Sequence, residues 1–150
     1  MKKKLKWVTI VLACLLVIIG IDWWRMTRVV LKVESQNPKT VYASSDEEVE
    51  FVVSAKDQSG NPVVGHNIYA LVIGGGSFKT FYEKTDENGC VTFIYYPPQM
   101  GGYQTERNIT LKFRDESNSI FIEMYPKTEH VIKVIKPEDE GGMSVGDFLN

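Results

Sequence analysis

Two carboxylates and an amide fall within five residues in Thr85-Asp86-Glu87-Asn88-Gly89. Three kinds of chemistry could use them: a cation loop, an acid/base pair, or a turn. A calcium loop brings several oxygens to one point on a D-x-[DN]-x-[DN]-G spacing, which Asp86, Glu87 and Asn88 do not keep. General acid/base catalysis needs a pocket that moves a pKa, whereas adjacent side chains on an exposed turn point apart with water between them. The turn reading has its own mechanism. Asn88-Gly89 is a strong tight-hairpin signal, because both residues tolerate the left-handed region of a type I′ turn. Thr85 and Asp86 can bond local backbone amides before it.

The other reactive groups are scattered. Gly74-Gly75-Gly76-Ser77-Phe78-Lys79-Thr80 looks like a phosphate loop, but Phe78 stands where glycine must precede the lysine, and no helix follows. His66 and His130 have no Cys or His at ligand spacing and read as strand-end surface residues. Cys90 has no histidine or cationic helix end nearby to activate it, and Cys14 lies in an apolar run, so no intrachain disulfide is expected. The expectation is a protein that is not an enzyme, with no metal, no cofactor and no small-molecule ligand.

The elements that hold these residues change character at Val29. From there apolar residues recur with period two, between Gly, Pro, Asn and Asp punctuation. Strands are expected at 29–34, 47–56, 67–73, 78–84, 90–96, 106–114, 118–125 and 129–135. Val49, Phe51, Val53 and Ala55 form one face of the second, and Ile109, Leu111 and Phe113 one face of the sixth. If Val91, Phe93 and Tyr95 face the core, Cys90 faces outward. Seven or eight short strands with regular turns predict an all-β fold, a two-sheet antiparallel sandwich over 29–136, with a barrel as the alternative.

Ahead of the strands, Lys2, Lys3, Lys4 and Lys6 precede an uncharged run from Trp7 to Ile21. Trp7, Trp23 and Trp24 suit the headgroup level and extend the span to 7–24. The lysines keep residues 1–6 in the cytoplasm, so that a four-residue tether, 25–28, delivers the domain to the extracytoplasmic side of a cell membrane. Two other fates are weighed: cleavage as a signal peptide, which Ile21-Asp22-Trp23-Trp24 fits poorly, and lipidation at Cys14. Of the 17 Lys and Arg, six lie in residues 1–28, and of the 19 Asp and Glu only Asp22 does. That leaves 11 against 18 and a balance of −7 beyond residue 28, which argues against nucleic-acid binding.

Two phrases carry a family resemblance: Asp57-Gln58-Ser59-Gly60-Asn61-Pro62-Val63-Val64-Gly65 and Thr85-Asp86-Glu87-Asn88-Gly89-Cys90-Val91-Thr92-Phe93, each between strands. Together they resemble the bacterial Ig-like domains of the invasin and intimin type (group 1) over about residues 29–135. The resemblance implies an Ig-like sandwich in which Gly60, Asn61, Pro62, Asp86, Asn88 and Gly89 mark turns. It implies little about function, since such modules serve as spacers, adhesin segments and accessory domains. Members usually carry the repeat in tandem, and here there is one.

Two segments hold partner-binding candidates. Tyr95, Tyr96, Met100 and Tyr103 belong to a proline- and glycine-bent loop with the residue types enriched at protein interfaces; the plainer reading is that the tyrosines pack against the end of the sandwich and the loop merely connects sheets. After the acidic, polar start of the tail 137–150, Val145, Phe148 and Leu149 in 143–150 form either a frayed end or a docking peptide. The expected role is an anchored, extracytoplasmic module that binds or braces a partner protein as a small accessory subunit of a bacterial envelope complex. A pilin-like or surface-fibre component is the alternative, although no Gly precedes the apolar run and no Glu lies five residues into it.

Overall fold

The computed structural model describes residues 2–43, 46–101, 103–117 and 125–137. Its first element is a helix, α1 (Lys2–Met26), and Lys6–Trp24 within it has a mean hydropathy of 2.2, long and apolar enough to cross a membrane. The side chains of Lys6–Trp24 lie almost wholly outside the protein core. The helix stops where Thr27 turns back on it, its N–H donating to Trp23 O (3.1 Å) and its Oγ1 to Trp24 O (3.1 Å). The first strand starts two residues later.

Nine strands follow among the described residues: β1 (Val29–Asn37), β2 (Val41–Tyr42), β3 (Val49–Asp57), β4 (Asn67–Ile73), β5 (Ser77–Phe78), β6 (Tyr82–Lys84), β7 (Cys90–Tyr96), β8 (Glu106–Asp115) and β9 (Lys127–Ile135). They form two sheets, ordered β1-β3-β7-β5 and β2-β9-β8-β4-β6, antiparallel except for the β2–β9 pair. The all-β sandwich expected from the alternation is what forms. Its core is the inward parity of each strand: Val49, Phe51, Val53 and Ala55 from β3, Val91, Phe93 and Tyr95 from β7, and Ile109, Leu111 and Phe113 from β8. Rings bind the two sheets together, with Phe93 5.4 Å from Phe113 and Phe78 5.7 Å from each of them. Each such side chain contributes about 1.5–3 kcal/mol by burial alone.

Two expectations need correction. The strand read over 78–84 is two strands in different sheets: Lys79 N–H still donates to Ile94 O of the four-stranded sheet (2.8 Å), whereas Phe81 O accepts from Ala70 N–H of the other (2.8 Å). Phe78 and Tyr82 share a period-two parity, which hides a crossing between sheets. The two-residue β2 was not anticipated, being too short to show any period. The strand expected at 118–125 falls on residues 118–124, outside the described residues.

Only β1 offers a long sheet edge among the described residues, and it is protected. Pairing with β3 slips between Val33 and Ser35, a bulge at Glu34 that interrupts the ladder. Glu34 takes a hydrogen bond from Ser54 Oγ (2.7 Å) and pairs with Lys32 Nζ (2.9 Å). The Lys32 bond first, then that of Ser54, hold its carboxyl down to about 2.

Candidate functional site

Strand register sorts the loops into two ends. Val29 faces Asp57, Ser54 faces Cys90, Asn67 faces Lys84 and Ile68 faces Asp115, so the loops 57–66 and 85–89 and the end of β8 share the end where α1 enters. Asn37 faces Glu50, Val49 faces Tyr95, Ser77 faces Tyr96 and Glu106 faces Ile135, which gathers the other loops at the far end.

At the helix end, the two motif phrases are copies of one turn. Asp57 Oδ1 accepts from Ser59 N–H (2.8 Å) and Asn61 N–H (2.9 Å), Asp57 O accepts from Gly60 N–H (3.0 Å), and Asp57 N–H donates to Asn61 O (2.9 Å). Asp86 repeats each bond with Asn88, Cys90, Gly89 and Cys90 in turn, at 2.8, 2.8, 3.0 and 2.8 Å. The side-chain amide of Asn61 holds Asp57 below the usual carboxylate range, and the Cys90 N–H does the same for Asp86. Both carboxylates are spent on their own backbones.

The turns also lock together. Gly89 O accepts from Ala55 N–H (2.7 Å), and Ala55 O from Val63 N–H (2.9 Å). Thr85, buried, donates through Oγ1 to Val63 O (2.7 Å) and accepts there from His66 N–H (2.9 Å). The hairpin expected at Asn88-Gly89 is therefore corrected. Among the described residues only glycines have positive φ, Gly60 (86°) and Gly89 (69°) among them, so Asn88 is not in the type I′ conformation. The turn joins β6 of one sheet to β7 of the other, and Thr85 bonds a distant segment rather than local amides. Pro62 closes the first phrase in a single bridge to Lys56.

Beside the turns, His66 Nδ1 lies 2.7 Å from Asp115 Oδ2, and Asp115 is 2 % exposed. The pair was missed in the sequence, although the inward parity of Ile109, Leu111 and Phe113 continues to Asp115. His130 is likewise no simple surface residue. Its Nε2 is 3.0 Å from Gln36 Oε1, its ring lies 5.8 Å from Phe51, and burial lowers its pKa. Among the described residues no three His, Cys, Asp or Glu side chains meet as a metal site would require.

The far end divides the partner-binding candidates. Tyr95 is fully buried and donates its hydroxyl to Gly75 O (2.8 Å), so it belongs to the core and cannot offer its ring to a partner. Tyr96 is half-buried, donating to Glu48 Oε1 (2.7 Å), and that bond raises its pKa. Met100 packs partly on the core, whereas Tyr103 is fully exposed. The segment after Tyr103 is braced: Arg107 reaches Gly74 O through Nη1 and Gln104 Oε1 through Nη2, both at 3.1 Å, and Thr105 O accepts from Lys136 N–H (2.8 Å). Val145, Phe148 and Leu149 lie outside the described residues.

No family model and no curated protein matches the chain. Among solved structures, the D00-D0 domain of intimin aligns with a TM-score of 0.50 at 9 % identity, covering 69 % of this chain and 47 % of that one. The fold is an Ig-like β-sandwich. Domains 4 and 5 of the S-layer protein SbsC align at a TM-score of 0.41 and 15 % identity (72 % and 53 % covered). A conjugate transposon protein from Bacteroides vulgatus aligns at 0.39 and 10 % (78 % and 91 %). The chain spans about half the length of the first two.

The titrating groups make acid destabilising. His130 is lowered from 6.5, so its contribution is complete above that value and is lost as pH falls through the lower folded pKa. Glu34, lowered from 4.5, and Asp57 and Asp86, lowered from 3.8, add stability that is present above those values and lost below them. Thermal unfolding is expected to show a midpoint that falls in two stages on acidification, the upper one absent in His130→Leu. A midpoint that rises below pH 6.5 would contradict this assignment.

Proposed function

We propose that this chain is a non-enzymatic module, anchored in a bacterial cell membrane by α1 as a single span, with its N-terminus in the cytoplasm and its Ig-like domain outside. It binds or braces another protein as a small accessory subunit of an envelope complex. The observation that carries this reading is the junction: an apolar, unburied helix runs into the sandwich with only Thr27 and Arg28 between α1 and β1. The basic residues ahead of the helix support the orientation. The far end supports the binding role, because Tyr103 stands fully exposed next to a braced segment and away from the anchor, and a rigid aromatic side chain loses little entropy on docking. The tail 143–150 is the second candidate for contact.

Purification of the full chain from mild detergent is expected to retain a stoichiometric companion protein. Tyr103→Ala should weaken that association about tenfold, equivalent to about 1.4 kcal/mol, without changing the melting midpoint. A companion-free preparation, with Tyr103→Ala and a 1–140 truncation both behaving as the parent does in cells, would overturn the binding role.

A further inference from the structure

We infer that the end of the sandwich carrying the paired aspartate turns is a membrane-resting surface seated on lipid headgroups, which holds the tyrosine-bearing end about 30 Å farther out, the length of a nine-residue strand at ~3.3 Å per residue. This rests on the reading of α1 as the anchor. The apolar segment ends at Trp24 and β1 begins at Val29, so four residues separate the bilayer from the first strand. Even fully extended they span no more than about 14 Å, and the first two are still helical.

Register then decides which loops arrive there. Asp57 lies opposite Val29, and Cys90, Lys84 and Asp115 are placed at the same end by pairing with Ser54, Asn67 and Ile68. That follows from strand order and tether length, whatever the tilt of the helix. The junction is also gripped. Gln58, in the first aspartate turn, donates from Nε2 to Thr27 O (3.2 Å), and the Arg28 guanidinium lies 3.7 Å over the Trp24 ring.

The placement rests on the tether and the strand register, and the side chains of this end are mixed in charge. Asp57 and Asp86 are turned onto their own backbone amides, and Asp115 is buried against His66. Exposed there are amides and hydroxyls from Gln58, Ser59, Asn61 and Asn88, the carboxylates of Asp86 and Glu87, and Lys84, while Lys56 Nζ lies 3.7 Å from Glu34 Oε1.

The test uses the full chain with C14A and C90S, carrying S59C or Y103C labelled with a fluorophore, in vesicles of phosphatidylcholine and phosphatidylglycerol with a headgroup spin-labelled quencher in both leaflets. The expected result is several-fold stronger quenching at position 59 than at 103. Insertion of a flexible Gly-Ser segment between Arg28 and Val29 should remove most of the difference. Protein that fails to float with the vesicles would overturn the anchor and this inference with it. Flotation with equal quenching at both positions, or stronger quenching at 103, would overturn the inference alone and leave the helix end open to a protein partner.

Discussion

Gly89→Ala is expected to destabilise the domain by about 3–5 kcal/mol, while Gly60→Ala, at the same place in the twin turn, should cost only about 1–2 kcal/mol. Both residues sit in the left-handed region, φ 69° and 86°, so both variants carry the strain of a side chain there. The difference is what surrounds them. A Cβ at Gly60 meets nothing within 4 Å, whereas one at Gly89 would lie 2.6 Å from Ala55 O, 2.9 Å from Val63 N and 3.0 Å from Pro62 Cα. These atoms are backbone and can yield only by breaking the bonds that lock the two turns together, Ala55 N–H to Gly89 O and Val63 N–H to Ala55 O. Against a total of about 5–15 kcal/mol for a domain, that loss approaches unfolding. Glu87→Ala, on the exposed tip of the turn, should change stability by less than about 0.5 kcal/mol and leave function intact. Urea unfolding of the three variants is the check, and equal losses at 60 and 89 would mean that the turns are not docked.

Removal of residues 1–24 is expected to transfer the protein completely from the membrane to the soluble fraction. Ten Val, Leu and Ile residues between Trp7 and Trp24 favour insertion by about 3–6 kcal/mol in sum at ~0.3–0.6 kcal/mol each, and no other described segment is long and apolar enough to replace them. The sandwich should fold without the helix, since its core is built from strands alone. Far-UV and near-UV circular dichroism of the truncated chain, with fractionation at alkaline pH, tests both halves of the statement. Retention of the shortened chain in the membrane would show that α1 is not its anchor.

Much of the architecture was legible in the sequence, and the reasons differ by element. β4 and β7 were placed at their observed limits because each is a short run rich in β-branched and aromatic residues with glycine or proline close to both ends. The turn phrases were legible as turns because D-x-x-G spacing has a local mechanism, an aspartate accepting from amides two and four residues ahead. Their docking was not, since it depends on backbone groups of Ala55 and Val63 that no side-chain pattern reports. The crossing at 79–81 was hidden because parity runs unbroken through it. Tyr95 carried two conflicting sequence signals at the candidate site. Composition grouped it with Tyr96 and Tyr103 as an interface residue, yet its parity with Val91 and Phe93 sends it inward, where Gly75 O receives its hydroxyl. His66 and Asp115 lie 49 residues apart, and only the fold brings them together.

Site-specific photo-crosslinking in intact cells tests the proposed role most directly. A benzophenone side chain at position 103 is expected to yield one discrete adduct with a protein of the envelope, and the same group at position 87 to yield no protein adduct, because that end faces lipid. No adduct from position 103, or the same adduct from both positions, would contradict a module that stands on the membrane and presents its far end to a partner.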